Sequence, residues 1–145
     1  MFKSILAISE GGPEAAMSFG LAARIASMFR GTVDAIHFSE SRPGDADIAA
    51  QAMPFLKRQT DDRQKARARE SERAYWELIA PLTGTTFAGG RGVTRDQLVA
   101  MARYADLLLL GRPGADAENI APATVHTALH DCVCPLMIAP PNPDP

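Results

Sequence analysis

A chain of 145 residues is long enough for one domain with a substantial core, and 46% hydrophobic against 22% charged residues is the balance of a globular protein in water. Fifteen Lys plus Arg face 17 Asp plus Glu, a net charge of -2, which gives no global attraction for nucleic acid or an anionic membrane. Cys132 and Cys134 are too few and too close for a disulfide scaffold, and no stretch resembles a secretory signal or approaches the ~20 apolar residues of a membrane span, so one cytoplasmic domain over residues 1–145 is expected.

"FKSILAIS" (Phe2–Ser9) reads as a buried strand that meets a turn at Glu10-Gly11-Gly12, with Pro13 tolerated in the first turn of a helix. Ala16, Phe19, Ala23 and Ala26 recur at helical spacing up to Phe29, and Arg30-Gly31 supplies a cation and a glycine to end that helix. "TVDAIHFS" (Thr32–Ser39) is a second strand. Pro43-Gly44 and Pro54 then break the rhythm, so Arg42 to Thr60 is expected to form a long surface excursion with one short helix. From Asp61 to Leu82 a charged helix is expected, with Ala66, Ala74, Trp76 and Leu78 on or beside its apolar stripe. The mixed signs of "RQKARARESER" (Arg63–Arg73) mark a solvated face rather than a nucleic-acid contact.

"GTTFAGGRG" (Gly84–Gly92) is a short strand running into glycines. Thr94 is placed to cap the next helix, with Asp96 and Gln97 behind it and Leu98, Val99, Ala102 and Ala105 on its apolar face. "ADLLLLG" (Ala105–Gly111) is continuously apolar, the pattern of a strand covered on both faces in a parallel sheet. A glycine loop follows, then a helix over about Ala123 to Asp131 opened by Thr124, a last strand within "CPLMIAP" (Cys134–Pro140) and a Pro-rich tail. Strands and helices that alternate in this way predict an α/β sandwich with a mostly parallel sheet.

"FKSILAISEGGPEA", "ADLLLLGRPG" and "ATVHTALHDCVCPLMIAP", in this order along the whole chain, resemble the universal stress protein family. The resemblance implies a Rossmann-like, adenine nucleotide alpha hydrolase-like three-layer fold with five strands, and a homodimer joined through the last strand, here Leu136, Met137 and Ile138. It also implies, for one subgroup, ATP in the crevice beyond the carboxyl ends of the strands, where open α/β sheets generally bind ligands.

That subgroup's pattern is Gly, two residues, Gly, nine residues, then Gly and Ser or Thr. Its glycines let backbone amides face phosphates, and its alcohol caps a helix whose N-terminus attracts anions. Gly111, Gly114 and Thr124 keep the frame. Ala123 replaces the third glycine and the spacing is one residue short. Pro113 and Pro122 remove backbone donors, Asp116 and Glu118 bring negative charge, and Arg112 is the only cation nearby in sequence. Glu10 stands where ATP-binding members usually carry Asp, and His37 lies where the family approaches the adenine. The candidate crevice is therefore Glu10, His37, Gly111, Arg112, Gly114, Thr124 and Val125, with Glu10 expected on the nucleoside side and Arg112 and the amides near Gly114 and Thr124 around any anion.

The expected function is a stress-type binding and signalling module with a weakened or absent ATP site, the alternative being a member that binds ATP, or binds and hydrolyses it, through Gly111–Thr124. ATP is the one cofactor in question, and an unidentified protein partner docking on the Arg42–Thr60 excursion is the third possibility. No nucleophile–base pair stands out, so no catalytic residue is assigned. His126 and His130 share a helix face and two thiols follow, but Cys132 and Cys134 run off along the next segment, so four-ligand closure around one metal ion is not expected.

Overall fold

The computed structural model describes residues 2–38, 54–113 and 120–140. Five strands form one sheet in the order β3-β2-β1-β4-β5, and every pairing is parallel. Among the described residues the strands are β1 (Ser4–Ser9), β2 (Thr32–Phe38), β3 (Thr86–Val93), β4 (Leu107–Leu110) and β5 (Leu136–Ile138), and the helices are α1 (Glu14–Phe29), α2 (Pro54–Leu78), α3 (Arg95–Ala102) and α4 (Pro122–His130). This is the α/β, Rossmann-like architecture the sequence predicts. No helix among the described residues is long and apolar enough to cross a membrane.

Alternation along the central strands sorts side chains into two cores. Ile5, Ala7, Val33, Ala35, Leu107 and Leu109 face α1 and α2 through Phe19, Ala22, Ala74, Tyr75 and Ile79. Leu6, Ile8, Ile36, Leu108 and Leu110 face α3 and α4 through Leu98, Ala102 and Ala128. All four leucines of β4 are buried, as a strand sandwiched between helix layers requires.

Several boundaries differ from the sequence-based expectation, each for a local reason. The charged helix expected from Asp61 spans Pro54–Leu78, so residues 54–60 belong to it rather than to a surface excursion, and a proline in a first turn loses no helical hydrogen bond. The rest of the expected excursion, residues 42–53, lies outside the described residues. The buried stripe of α2 is Ser71, Ala74 and Tyr75, continued by Ile79, while Trp76 is 63% exposed and Ala66 faces solvent. At the end of α1 the left-handed residue is Arg30 (φ 52), not Gly31. Gly31 is required for closeness instead, since a Cβ there would stand 2.6 Å from the Phe2 carbonyl oxygen. Thr94 caps α3 as expected, in a reciprocal capping box with Gln97.

The order of strands reverses direction between β1 and β4, so their carboxyl ends open the crevice of the fold. Gly11, just beyond β1, sits directly beneath α2 with φ +82, and an added Cβ would lie 2.5 Å from both Cβ and the carbonyl oxygen of Arg67. Gly11→Ala is therefore expected to cost at least about 2 kcal/mol, combining left-handed strain with overpacking against a helix backbone. Urea unfolding of this variant measures it, and a midpoint equal to the parent's would contradict the packing described.

Candidate functional site

The crevice is assembled from the ends of three strands and from α2, which lies across them. Arg67, Ser71, Ala74, Tyr75 and Leu78 recur at three- and four-residue spacing, and this places Arg67 and Ser71 on the inward side of α2 next to the β1 turn. Arg67 Nε donates to the Glu10 carbonyl at 2.8 Å and an Arg67 terminal nitrogen donates to the Gly11 carbonyl at 3.3 Å. One turn on, the Glu70 carboxylate accepts from the Gly12 N–H at 2.8 Å.

Below Arg67 runs a chain of buried polar groups. Ser71 Oγ lies 2.8 Å from His37 Nδ1 and 2.8 Å from Ser9 Oγ, and Ser9 Oγ also accepts from the Gly11 N–H at 2.9 Å. Ser9 Oγ reaches Glu14 Oε1 at 3.5 Å, and the same carboxyl oxygen accepts from the Glu10 N–H at 3.0 Å. Glu14 Oε2 has no hydrogen-bond partner among the described residues and lies against Gly111, where a Cβ would stand 2.9 Å from it. The lack of a side chain at Gly111 thus makes room for Glu14.

Glu10 closes the other side. Its side chain is only 5% exposed, and its Oε2 accepts from the Ala121 N–H at 2.8 Å, at the start of α4. The N-cap of α4 is Ala121 and has no side-chain cap, so Thr124 does not open this helix as expected. It lies a turn further in, 2% exposed, with its N–H bonded to the Ala121 carbonyl at 3.0 Å. The Glu10 carboxylate supplies from β1 the negative group that a helix N-terminus favours.

Of the candidates named from sequence, Glu10, His37 and Gly111 converge on this crevice with the first turn of α4. Val125 is half-buried and packs into the α3/α4 core, while Arg112 is exposed and bonds through its carbonyl to the Ile120 N–H at 2.9 Å. Gly114, Asp116 and Glu118 lie outside the described residues. Arg67, Ser71 and Glu14 were missed. The stripe through Ser71, Ala74, Tyr75 and Leu78, extended one turn back, was the available signal for the first two. Glu14 carried none, because an acid in the first turn of a helix is ordinarily exposed.

Burial dominates the titration of both ends of the polar chain. Desolvation pushes the Glu14 carboxyl up from 4.5 to about 8, and the Glu10 carboxylate adds to the rise against the Glu10 N–H bond, Arg67 and Ser9. Desolvation also lowers His37 from 6.5 to about 4, and Arg67 lowers it further. Both groups are neutral at pH 7. A serine and an imidazole in contact have the composition of a nucleophile and its base, but Ser71 is 0% and His37 3% exposed.

The two shifts fix a pH profile for stability. Between pH 4.5 and about 8 the folded chain retains the Glu14 proton that the unfolded chain has released, so stability declines as pH rises. Between about 4 and 6.5 the unfolded chain takes up a proton at His37 that the folded chain does not, so stability declines as pH falls. These opposing slopes, about 1.4 kcal/mol per pH unit at most, produce a plateau near pH 4.5–6.5 and a fall from 6.5 to about 8. Glu14→Gln should abolish the alkaline fall and expose the acid limb of His37. Urea unfolding at stepped pH tests both, and a parent whose stability is level from 6.5 to 8 would refute the buried neutral Glu14.

The fold matches those of solved proteins over nearly its whole length. Similar structures include the universal stress protein UspA of Lactobacillus plantarum (17% identity, TM-score 0.61, covering 96% of this chain and 98% of that one). A universal stress protein of Archaeoglobus fulgidus in complex with dAMP matches at 12% identity and TM-score 0.56, covering 97% and 98%. A universal stress protein in complex with cAMP matches at 18% and 0.50, covering 95% and 96%. No curated protein sequence matches this chain. The model of the universal stress protein family matches residues 1–140, and with the five-stranded parallel sheet described above the chain belongs to that family.

Proposed function

We propose that this chain is a homodimeric stress-response binding and signalling module, not a dedicated catalyst, whose nucleotide crevice is held closed by its own side chains. The observation that carries this is the bond from the Ala121 N–H to the Glu10 carboxylate. An anion drawn to the first turn of α4 meets a negative group already seated there, and like charges ~4 Å apart repel by roughly 4 kcal/mol at an effective dielectric of about 20. Arg67 supports the same conclusion, because it is spent on the Glu10 and Gly11 carbonyls. Adenine nucleotides in the complexes of two relatives support that ligand class for the crevice once opened.

Titration calorimetry with ATP, with and without Mg²⁺, is expected to give no saturable heat for the parent at millimolar ligand. Glu10→Gln keeps the side-chain shape and removes the charge, and is expected to tighten ATP binding by about tenfold or more. Micromolar affinity in the parent, or Glu10→Gln binding no better, would overturn the self-closed site and favour the ATP-binding alternative.

The dimer is supported by β5, an edge strand, and by the apolar groups beside it: Leu129 is 59% exposed, Val133 90% and Ile138 43%. Leu136 and Met137 are half-buried on the same strand. Light scattering at micromolar concentration should report a dimer for the parent and a monomer for Ile138→Glu. A monomeric parent would contradict the proposal.

A further inference from the structure

We propose that His126 and His130 form a two-imidazole site on α4 for a borderline divalent transition ion of the Ni²⁺, Cu²⁺ or Zn²⁺ class. The two residues are one helical turn apart on the solvent side of the helix, both exposed, and their rings already face one another with centroids 4.3 Å apart and planes at 45°. Two imidazole nitrogens on one such ion, each at about 2.0–2.1 Å, stand about 3 Å from each other. Rings this close reach that separation by rotation about side-chain torsions, with no movement of the α4 backbone. Paired histidines at this spacing are the helix-face arrangement that zinc sites use.

The surroundings define what kind of site it is. Among the described residues no group of three or more His, Cys, Asp or Glu is placed to hold an ion. Asp131, next along the chain, is engaged by Arg95. Cys132 is buried, and Cys134 Sγ donates to the Pro135 carbonyl at 3.4 Å. Among the described residues the ion therefore has two protein ligands, with solvent in its remaining positions, which makes the site exchangeable rather than structural. Nitrogen ligands without carboxylates select transition ions against Mg²⁺ and Ca²⁺, which require oxygen. The chain has three histidines, and the third, His37, is buried in the polar chain beneath α2 and out of reach.

The four-ligand geometry through the thiols fails, whereas the two-histidine geometry stands on its own. The site also lies on the helix whose first turn receives the Glu10 carboxylate, so an ion bridging His126 and His130 braces the same helix from its outer face.

The test is calorimetric titration of the untagged full chain with Ni²⁺, with Mg²⁺ as control. One Ni²⁺ per chain is expected at micromolar affinity, with no Mg²⁺ heat. His126→Asn and His130→Asn should each weaken Ni²⁺ binding by about tenfold or more, and Cys134→Ser should leave it unchanged. Both histidines are exposed, so metal-free thermal unfolding of the variants should match the parent's. Absence of Ni²⁺ binding at millimolar ion, binding that persists in the double histidine variant, or binding lost in Cys134→Ser would each overturn the assignment.

Discussion

A carboxylate at the end of the first strand bonds to a helix start 111 residues away, and the arrangement of the crevice follows from that contact. Glu10 leaves β1 at the switch point of the sheet, where the neighbouring strand is β4 and the next helix start belongs to α4. A charged group there satisfies an orphan amide and complements the positive end of the helix, two effects that operate together only at short range. The same geometry that attracts phosphate in open α/β folds is met internally by a side chain.

Seating one acid in this way constrains the other. Glu14 lies a turn below and retains its proton, first because burial strips the charged form of solvent and then because the Glu10 carboxylate adds to the rise. Helix α2 then roofs the pair: Arg67 satisfies the carbonyls of Glu10 and Gly11, and Ser71 links Ser9 to His37. Gly11 and Gly111 are explained by closeness to Arg67 and Glu14 respectively, which are contacts within the protein.

Much of this fold was legible in the sequence because its signals are local. The four leucines of β4, the Thr94–Gln97 box and the alternation of strands and helices each depend on neighbours a few residues apart. The helical extent of residues 54–60 was not legible, because proline carries opposite meanings in a first helical turn and in a helix interior. The crevice was only partly legible. Glu10, His37 and Gly111 sit at strand ends, and strand ends are where an open sheet places its site. Ser71 and Arg67 join them because a long helix folds back over the β1 turn; its stripe marks the inward face but not where that face lands. Thr124 looked like a cap because alcohols usually are, whereas a distant carboxylate fills that position and the threonine is drawn into the core.

The central claim is that the N-terminus of α4 is occupied by the chain's own carboxylate, and amide hydrogen exchange at Ala121 tests it most directly. The Ala121 N–H is expected to be protected in the parent at a level approaching that of the buried strands, and to lose that protection in Glu10→Ala while the β1 amides keep theirs. An Ala121 amide that exchanges as freely as an open loop in the parent, or is equally protected without Glu10, would contradict the account.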